Sequence, residues 1–546
     1  MKKSVSGGKN RHEIGFDELN HQDKSIVEKA LNRGATRREA MSLLMAGGLS
    51  VAAAGTIVTA AKKAVAAMPV KGGSVRMSPS LHGPDDHIIP AQFTSTIDYT
   101  RGRCHYNSLV QLDDDIVPQP ELAEEFGSNA NASEWTFKLR KDVSFHDGSK
   151  FDADDVMYTM AMHYGDDSIS VVKSLVAGVK EWKKVGQYEV KAILESPNSD
   201  LATLLGEKQF KIMKNGSADD PLPTGTGPYT LEDFQPGVRS KHIRNENYWR
   251  EGANFDSVEV FAITDPVARV NALLSGDVDM VAQVDPKAVK LVEATDGVEI
   301  KSTPSSSYMG MCMMLDKSPG NNPDFVKGMK LLHRRDKIVK SILKGQGTVG
   351  NDHPINRAFG PDFCSELPIQ AYDPDQAKFH LKKSGITSAE CYVAEVSPGI
   401  TDASLMWQRE CLKIGFDLKI KKVANDGYWG AVWMQTPINV VTWNMRPTAT
   451  IQLDIAFAPD APWNDTAWIN PRMGELLKMV KAETNAAKRH EIQCEMQTLC
   501  HKESGMIIPA HMNVVDGHGS NIKGIPGNPL GILGGCEWPE FAWKEA

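Results

Sequence analysis

Along residues 134–145, EWTFKLRKDVSF, apolar side chains fall on alternate positions. Trp135, Phe137 and Leu139 share one face, the repeat of a half-buried strand. The next stretch, HDGSK, holds the Asp147-Gly148 pair of a turn. Asp152 then stands at a helix N-cap, with Asp154 and Asp155 in the first turn, where carboxylates favour the helix dipole. That helix is predicted to run to about Tyr164. A second helix is predicted over Pro266–Leu274, opened by proline and stopped by Gly276. Further helices are expected near 325–343, 374–384, 402–414 and 472–503, and strands near 187–194, 257–263, 308–315, 390–396 and 416–422. Lys71-Gly72-Gly73 reads as a turn feeding an alternating strand. Residues 438–443, INVVTW, are β-branched or aromatic at almost every position and read as a strand. Asn444, Met445 and Arg446 follow it, and Pro447 ends it. Strands and helices intermix without an internal repeat, so the class is α/β with mixed sheets.

The 546 residues are 41% hydrophobic and 24% charged, an ordinary globular balance. Charge is uneven along the chain. The first 66 residues hold 11 Lys/Arg and 6 Asp/Glu, leaving 50 basic and 63 acidic residues for the rest. An acidic body lacks the basic face that phosphate neutralisation needs, which argues against nucleic acid as a partner. About 480 residues beyond the leading segment suggest roughly three domains. In that segment Thr36-Arg37-Arg38-Glu39-Ala40-Met41 precedes an apolar run from Met41 to Ala61, then Lys62, Lys63 and the small-x-small Ala64-Val65-Ala66. This resembles a twin-arginine export signal over residues 1–66, and implies a periplasmic destination. The run is rich in Ala, Gly and Thr and makes a poor membrane span. All eight cysteines lie beyond it. The periplasm would permit disulfides, but sequence does not pair them, and no CxxC zinc pattern is present.

Three stretches carry a wider resemblance: 120–159, PELAEEFGSNANASEWTFKLRKDVSFHDGSKFDADDVMYT; 225–249, GTGPYTLEDFQPGVRSKHIRNENYW; and 268–281, ARVNALLSGDVDMV. With the KGGSVRM start, these resemble the extracytoplasmic solute-binding proteins of family 5, the dipeptide, oligopeptide and nickel receptors of ABC importers. The resemblance implies a large two-lobed periplasmic-binding-protein fold of three-domain type, with mixed β-sheets and two hinge strands. Lobe I would comprise 67–105, an inserted subdomain over 106–224, then 225–315 and 501–546; lobe II would be 316–500. Gly225, Gly227 and Pro228 would make the tight turn where the chain re-enters lobe I, and His146 would be a structural, hydrogen-bonding histidine. A solute held between the lobes favours closure by its differential affinity for the closed form, which the permease's transmembrane subunits read. A monomer without cofactor is expected.

Within that resemblance, dipeptide and oligopeptide receptors place an aspartate three residues after a tryptophan on this strand, where it meets the peptide's α-ammonium. Here Trp443 is followed at that spacing by Arg446, so the sign is inverted. The Ser-Arg-Pro turn that holds a peptide carboxylate corresponds to Val396-Ser397-Pro398-Gly399, which has no arginine. A guanidinium offers a planar fork for carboxylate or phosphate, so the expected solute is peptide-like or otherwise organic and carries an anionic group: an amino-acid conjugate, an opine-like compound or an acidic peptide. The alternatives for Arg446 are an ion pair with Asp454 or exposure past Pro447. Tyr428, Trp429, Trp433, Trp443, Trp463 and Trp468 crowd the same region, with core packing the competing role for each. The candidate ligand-binding residues are Trp443, Arg446, Asn444, Trp429 and Tyr308; Asn464 is expected to fix a loop.

Two rival functions are weaker. A secreted hydrolase would need HExxH, GxSxG or GxxxxGK, and none occurs. A metal or metallophore receptor could draw on His511, Asp516 and His518, whose donors suit nickel, zinc or iron.

Overall fold

Two large sheets carry the body of the chain, and both mix parallel with antiparallel pairing. The computed structural model describes residues 69–79, 86–165, 167–425, 427–461 and 463–545; the export-signal expectation lies outside them. The first sheet has seven strands, in the order Val298–Thr303, Val514–Gly519, Met280–Val281, Ser74–Ser78, Ser257–Val260, Arg239–Arg244, Tyr229–Gln235. Ser74–Ser78 runs parallel to both of its neighbours, and the other pairs are antiparallel. The second sheet has six strands, in the order Gly347–Val349, Met506–Met512, Tyr308–Met313, Ile438–Trp443, Ser388–Val393, Asp417–Lys422. Its central strands are buried on both faces, which is why they read as unbroken apolar runs rather than alternations.

A smaller four-stranded antiparallel sheet is built from Ala123–Ser128, Glu134–Leu139, Glu189–Leu194 and Val179–Gly186. The alternation of Trp135, Phe137 and Leu139 points into its own core, where Phe137 stacks between Phe126 and Trp135. Asp152 caps the helix Ala153–Ala161, with Asp155 closing a capping box. The helix Pro266–Ser275 ends at Gly276, which takes the left-handed conformation (φ 78°) that glycine tolerates best.

The chain crosses between the two large sheets twice. It leaves the first after Thr303 and enters the second at Tyr308; it returns between Met512 and Val514. The crossings lie side by side, since Thr303 pairs with Val514 in one sheet and Tyr308 with His511 in the other. These are the two hinge strands of a two-lobed body.

Two expected helices are broken. The one expected over 325–343 stops at Lys330, and helical turns resume at Arg335–Lys337 and Ile338–Ile342. The interruption lets Arg335 turn inward, where its guanidinium grips both oxygens of buried Asp352 at 2.8 Å. The one expected over 472–503 is Pro471–Ala482 followed by Ala486–Glu503, because Asn485 caps the second helix by accepting from Lys488 N at 3.1 Å. Among the described residues no helix is long and apolar enough to cross a membrane.

Gly225 and Gly227 are required for a different reason than a tight turn. Neither has a positive φ. Instead, a methyl on either would collide with the backbone of His105, whose carbonyl accepts from Gly227 N at 2.9 Å. His146 closes the same corner by donating to the Gly227 carbonyl at 3.0 Å. We expect Gly225→Ala to cost ~1–3 kcal/mol, since backbone on both sides must move. Urea denaturation followed by tryptophan fluorescence measures this, and an unchanged midpoint would remove the close-approach explanation.

Candidate functional site

Ile438–Trp443 lies inside the second sheet, antiparallel to Tyr308–Met313 and parallel to Ser388–Val393. Beyond Trp443 the chain leaves the sheet but is fastened at once. Met445 N donates to Ser307 Oγ at 3.1 Å, and the Met445 sulfur accepts from Ser306 N at 3.3 Å. Ser306 and Ser307 belong to the outward hinge crossing, so the strand tip is tied to the hinge. On the far side Arg446 N donates to Gln452 Oε1 at 3.0 Å, and Thr448 caps the helix Ala449–Phe457. The backbone of Arg446 is therefore held from both directions.

Among the described residues no acid pairs with its side chain. The guanidinium lies 6.0 Å from the Trp443 ring centroid and 5.9 Å from that of Trp463. Its Nε is buried and has no hydrogen-bond partner. Asp454, the carboxylate nearest at hand in sequence, pairs instead with Lys481 at 2.9 Å. Two indole faces give a cation modest stabilisation but satisfy none of its donors. Tyr99, on the helix Thr96–His105, has its phenol pushed up by burial and by Glu207 and Cys536, while Arg446 pulls the other way.

The other candidates are placed differently. Trp443 is largely buried, yet its ring is one wall of the Arg446 position, edge-to-face with Trp463 at 5.8 Å. Asn444 is exposed beside it. Trp429 is 45% exposed on the helical turn Tyr428–Ala431, packed edge-on against Tyr428 and Trp433. Tyr308 has no exposed surface; it pairs with Trp443 across the sheet, lies edge-on to His511, and its hydroxyl is buried without a partner. The structure therefore groups Trp443, Arg446 and Asn444, sets Trp429 on a separate exposed turn, and puts Tyr308 in the core beneath. Trp468 packs in the core on Phe457, and Asn464 fixes its loop by donating to the Trp468 carbonyl at 2.7 Å.

Sequence reading missed the partner that orients the tryptophans. Asp465 is buried and accepts from Trp443 Nε1 at 2.8 Å and from Trp433 Nε1. Burial pushes its carboxyl up to about 7, against the pull of the two indole N–H groups. The two hydrogen bonds fix the Trp443 ring, and with it one wall beside Arg446.

His511, Asp516 and His518 are not brought together. His511 sits in the second sheet with Nδ1 on the Ser306 carbonyl. Asp516 and His518 lie in the first sheet, where the Asp516 carboxylate accepts from Gln283 N and Leu533 N. The three form no group able to share an ion among the described residues.

The model for the bacterial extracellular solute-binding proteins, family 5, matches residues 117–453. The chain belongs to this family. Among curated relatives, the dipeptide-binding protein of Escherichia coli (strain K12) is 23% identical over 498 residues, covering 82% of this chain and 91% of that one. Among solved structures, the periplasmic binding protein DppA of Helicobacter pylori, in complex with the peptide STSA, superposes with a TM-score of 0.73 at 20% identity, covering 87% of this chain and 99% of that one. AgaA of A. tumefaciens R10, in complex with agropinic acid, gives a TM-score of 0.72 at 19% identity, covering 87% and 99%. The two-lobed fold of this family 5 protein is thereby shared with periplasmic solute receptors.

Asp465 also makes stability depend on pH. Its folded pKa lies above the ordinary aspartate value, so the folded state keeps the proton longer than the unfolded chain does. The resulting stabilisation is present below about pH 4 and is lost as pH rises through about 7. We expect unfolding free energy to fall between pH 5 and pH 8, with Asp465 contributing up to ~3 kcal/mol over that span. Asp465→Asn should flatten that slope, so that the substitution costs more at pH 5 than at pH 8. Parallel slopes for the two proteins in urea titrations would contradict the assignment.

Proposed function

We propose that this family 5 protein is the periplasmic receptor of an ABC importer and traps an anionic organic solute, peptide-like or opine-like, between its lobes. The observation that carries this reading is the Arg446 guanidinium: held at the tip of an interior strand, flanked by two indoles, with a buried Nε and no carboxylate partner. Arg446 is half-buried, and its covered, unpaired Nε is costly; a carboxylate arriving with the solute would remove that cost with a charge-assisted fork. Trp443 and Trp463 supply ring faces for the apolar part of the solute. The dipeptide-binding relative and the agropinic acid complex of a structural neighbour support solutes that carry carboxylates. Export by a twin-arginine-type signal, work as a monomer and hand-over to permease transmembrane subunits complete the proposal.

Native mass spectrometry of freshly purified protein identifies a retained solute, and calorimetry measures its affinity. We expect Arg446→Ala to weaken binding by about 2 kcal/mol or more, roughly thirtyfold in Kd. Arg446→Lys should fall between, keeping the charge and losing the fork. Unchanged affinity in Arg446→Ala would sink the anionic reading.

A further inference from the structure

Away from the Arg446 position, the helix Ala486–Glu503 carries His490 and Cys494 four residues apart, so they share a face. Cys364 and Glu366 come up to that face from the segment following the turn Arg357–Asp362, and Cys364 is bridged to Cys494. The donor atoms are close. Cys494 Sγ lies 3.5 Å from His490 Nε2 and 3.8 Å from a Glu366 carboxylate oxygen. The same oxygen lies 3.6 Å from Cys364 Sγ and 3.6 Å from His490 Nε2. Bond lengths of about 2.3 Å for Zn–S and 2.0–2.2 Å for Zn–N and Zn–O put the ligand–ligand edges of a zinc tetrahedron at roughly 3.4–3.8 Å. Four of the six edges already have that length; the bonded sulfurs must part, and His490 must close on Cys364, since Cys364, Glu366 and Cys494 are the three whose donor atoms all lie within 4.8 Å of one another.

We propose that, once the Cys364–Cys494 bridge is reduced, Cys364, Cys494, His490 and Glu366 bind one Zn²⁺-class ion. The surroundings are built for it. His490 Nδ1 bonds the Pro361 carbonyl at 2.7 Å, which assigns the proton to Nδ1 and turns the Nε2 lone pair toward the sulfurs. The loop stays on the helix without the disulfide. Gln497 accepts from Cys364 N at 3.0 Å and donates to the Asp362 carbonyl at 2.7 Å, while Arg489 holds the Asp362 carboxylate at 3.0 Å. Glu366 is exposed and His490 half-exposed, so both reductant and ion have access. The chemistry balances: a dithiol exchanges with the bridge, leaving two thiols here and a disulfide on itself. Zn²⁺ then displaces the two thiol protons as both sulfurs become thiolates. The oxidised protein, its sulfurs bonded to each other, offers only His490 and Glu366. The site is therefore open to metal in one redox state and closed in the other.

The test uses the full-length protein, oxidised or reduced with a phosphine; the phosphine takes oxygen from water and leaves both thiols. Co²⁺ and then Zn²⁺ are titrated into each form. The reduced protein should bind one ion, with thiolate-to-cobalt charge-transfer bands and tetrahedral visible bands that Zn²⁺ bleaches; the oxidised protein should show neither. His490→Ala and Glu366→Ala keep every cysteine, so the six other buried thiols remain as an internal control. Each should weaken the reduced protein's affinity at least tenfold, with the oxidised variants' thermal midpoints confirming the fold. Absence of thiolate bands, or equal affinity in both variants and the parent, overturns the proposal.

Discussion

The paired crossing between the two sheets constrains everything the site can do. Two extended segments run side by side from one sheet to the other, paired Thr303 to Val514 on one side and Tyr308 to His511 on the other. Met512 N donates to the Ser307 carbonyl at 2.7 Å between them, and the Asn513 side chain donates to Ser302 Oγ at 2.8 Å. The same short run, Ser305 to Ser307, holds Met445 at the end of the neighbouring strand. Placement of the guanidinium therefore depends on the hinge. A binding group fixed to the pivot itself keeps its position relative to both lobes while they move, whereas one on an outer loop would sweep with its lobe.

Around that pivot the protein treats its arginines unequally. Arg103 is wholly buried and meets Glu121 at 2.5 Å, Glu537 at 2.7 Å and Glu540; Arg250 shares Glu121 at 3.1 Å. Those contacts tie the C-terminal segment to the first lobe, and the neighbouring cations hold Glu121 down at about 2 despite its burial. Arg335 has Asp352, and Arg489 has Asp362 and Asp200. Every one of these buried cations comes with its acid, as desolvation requires. Arg446 alone of this set has aromatic walls instead. Arg269, fully buried, takes a third course and bonds only backbone carbonyls; the contrast is what recommends Arg446 as the anion-binding group in the function we propose.

Much of the fold was legible because its signals are local. The Asp152 cap, the Pro266-to-Gly276 helix and the Trp135–Phe137–Leu139 alternation are each written within a dozen residues and formed as read. The two broken helices were not legible. What divides the first is a partner, Asp352, 17 residues beyond Arg335 and outside the helix, and no helical periodicity reports it. The site shows the same limit. Trp443 and Arg446 follow from one strand's pattern, but Trp463, the second ring beside Arg446, comes from a separate segment whose approach the strand does not report. Nothing in the sequence singles out Asp465; its role comes from two indole N–H groups aimed at it. Tyr308, a ligand-binding candidate from the sequence, starts a strand that is central and covered on both faces.

Arg489 reaches Asp200 at 3.1 Å, and Ser199 N donates to the Lys481 carbonyl at 2.8 Å. On the lobe boundaries that the resemblance implies, these bonds would join the two lobes and add to closure whatever the solute adds. Their contribution cannot be large. A receptor must open again to release its solute, and a ligand moves a two-state equilibrium only by its differential affinity. If contacts of this kind closed the lobes firmly, the solute would find no open form to enter. In the function we propose, the weight rests on a group unsatisfied until the solute arrives: the role falls to Arg446, whose buried Nε has no partner among the described residues, and not to Arg489, already doubly paired.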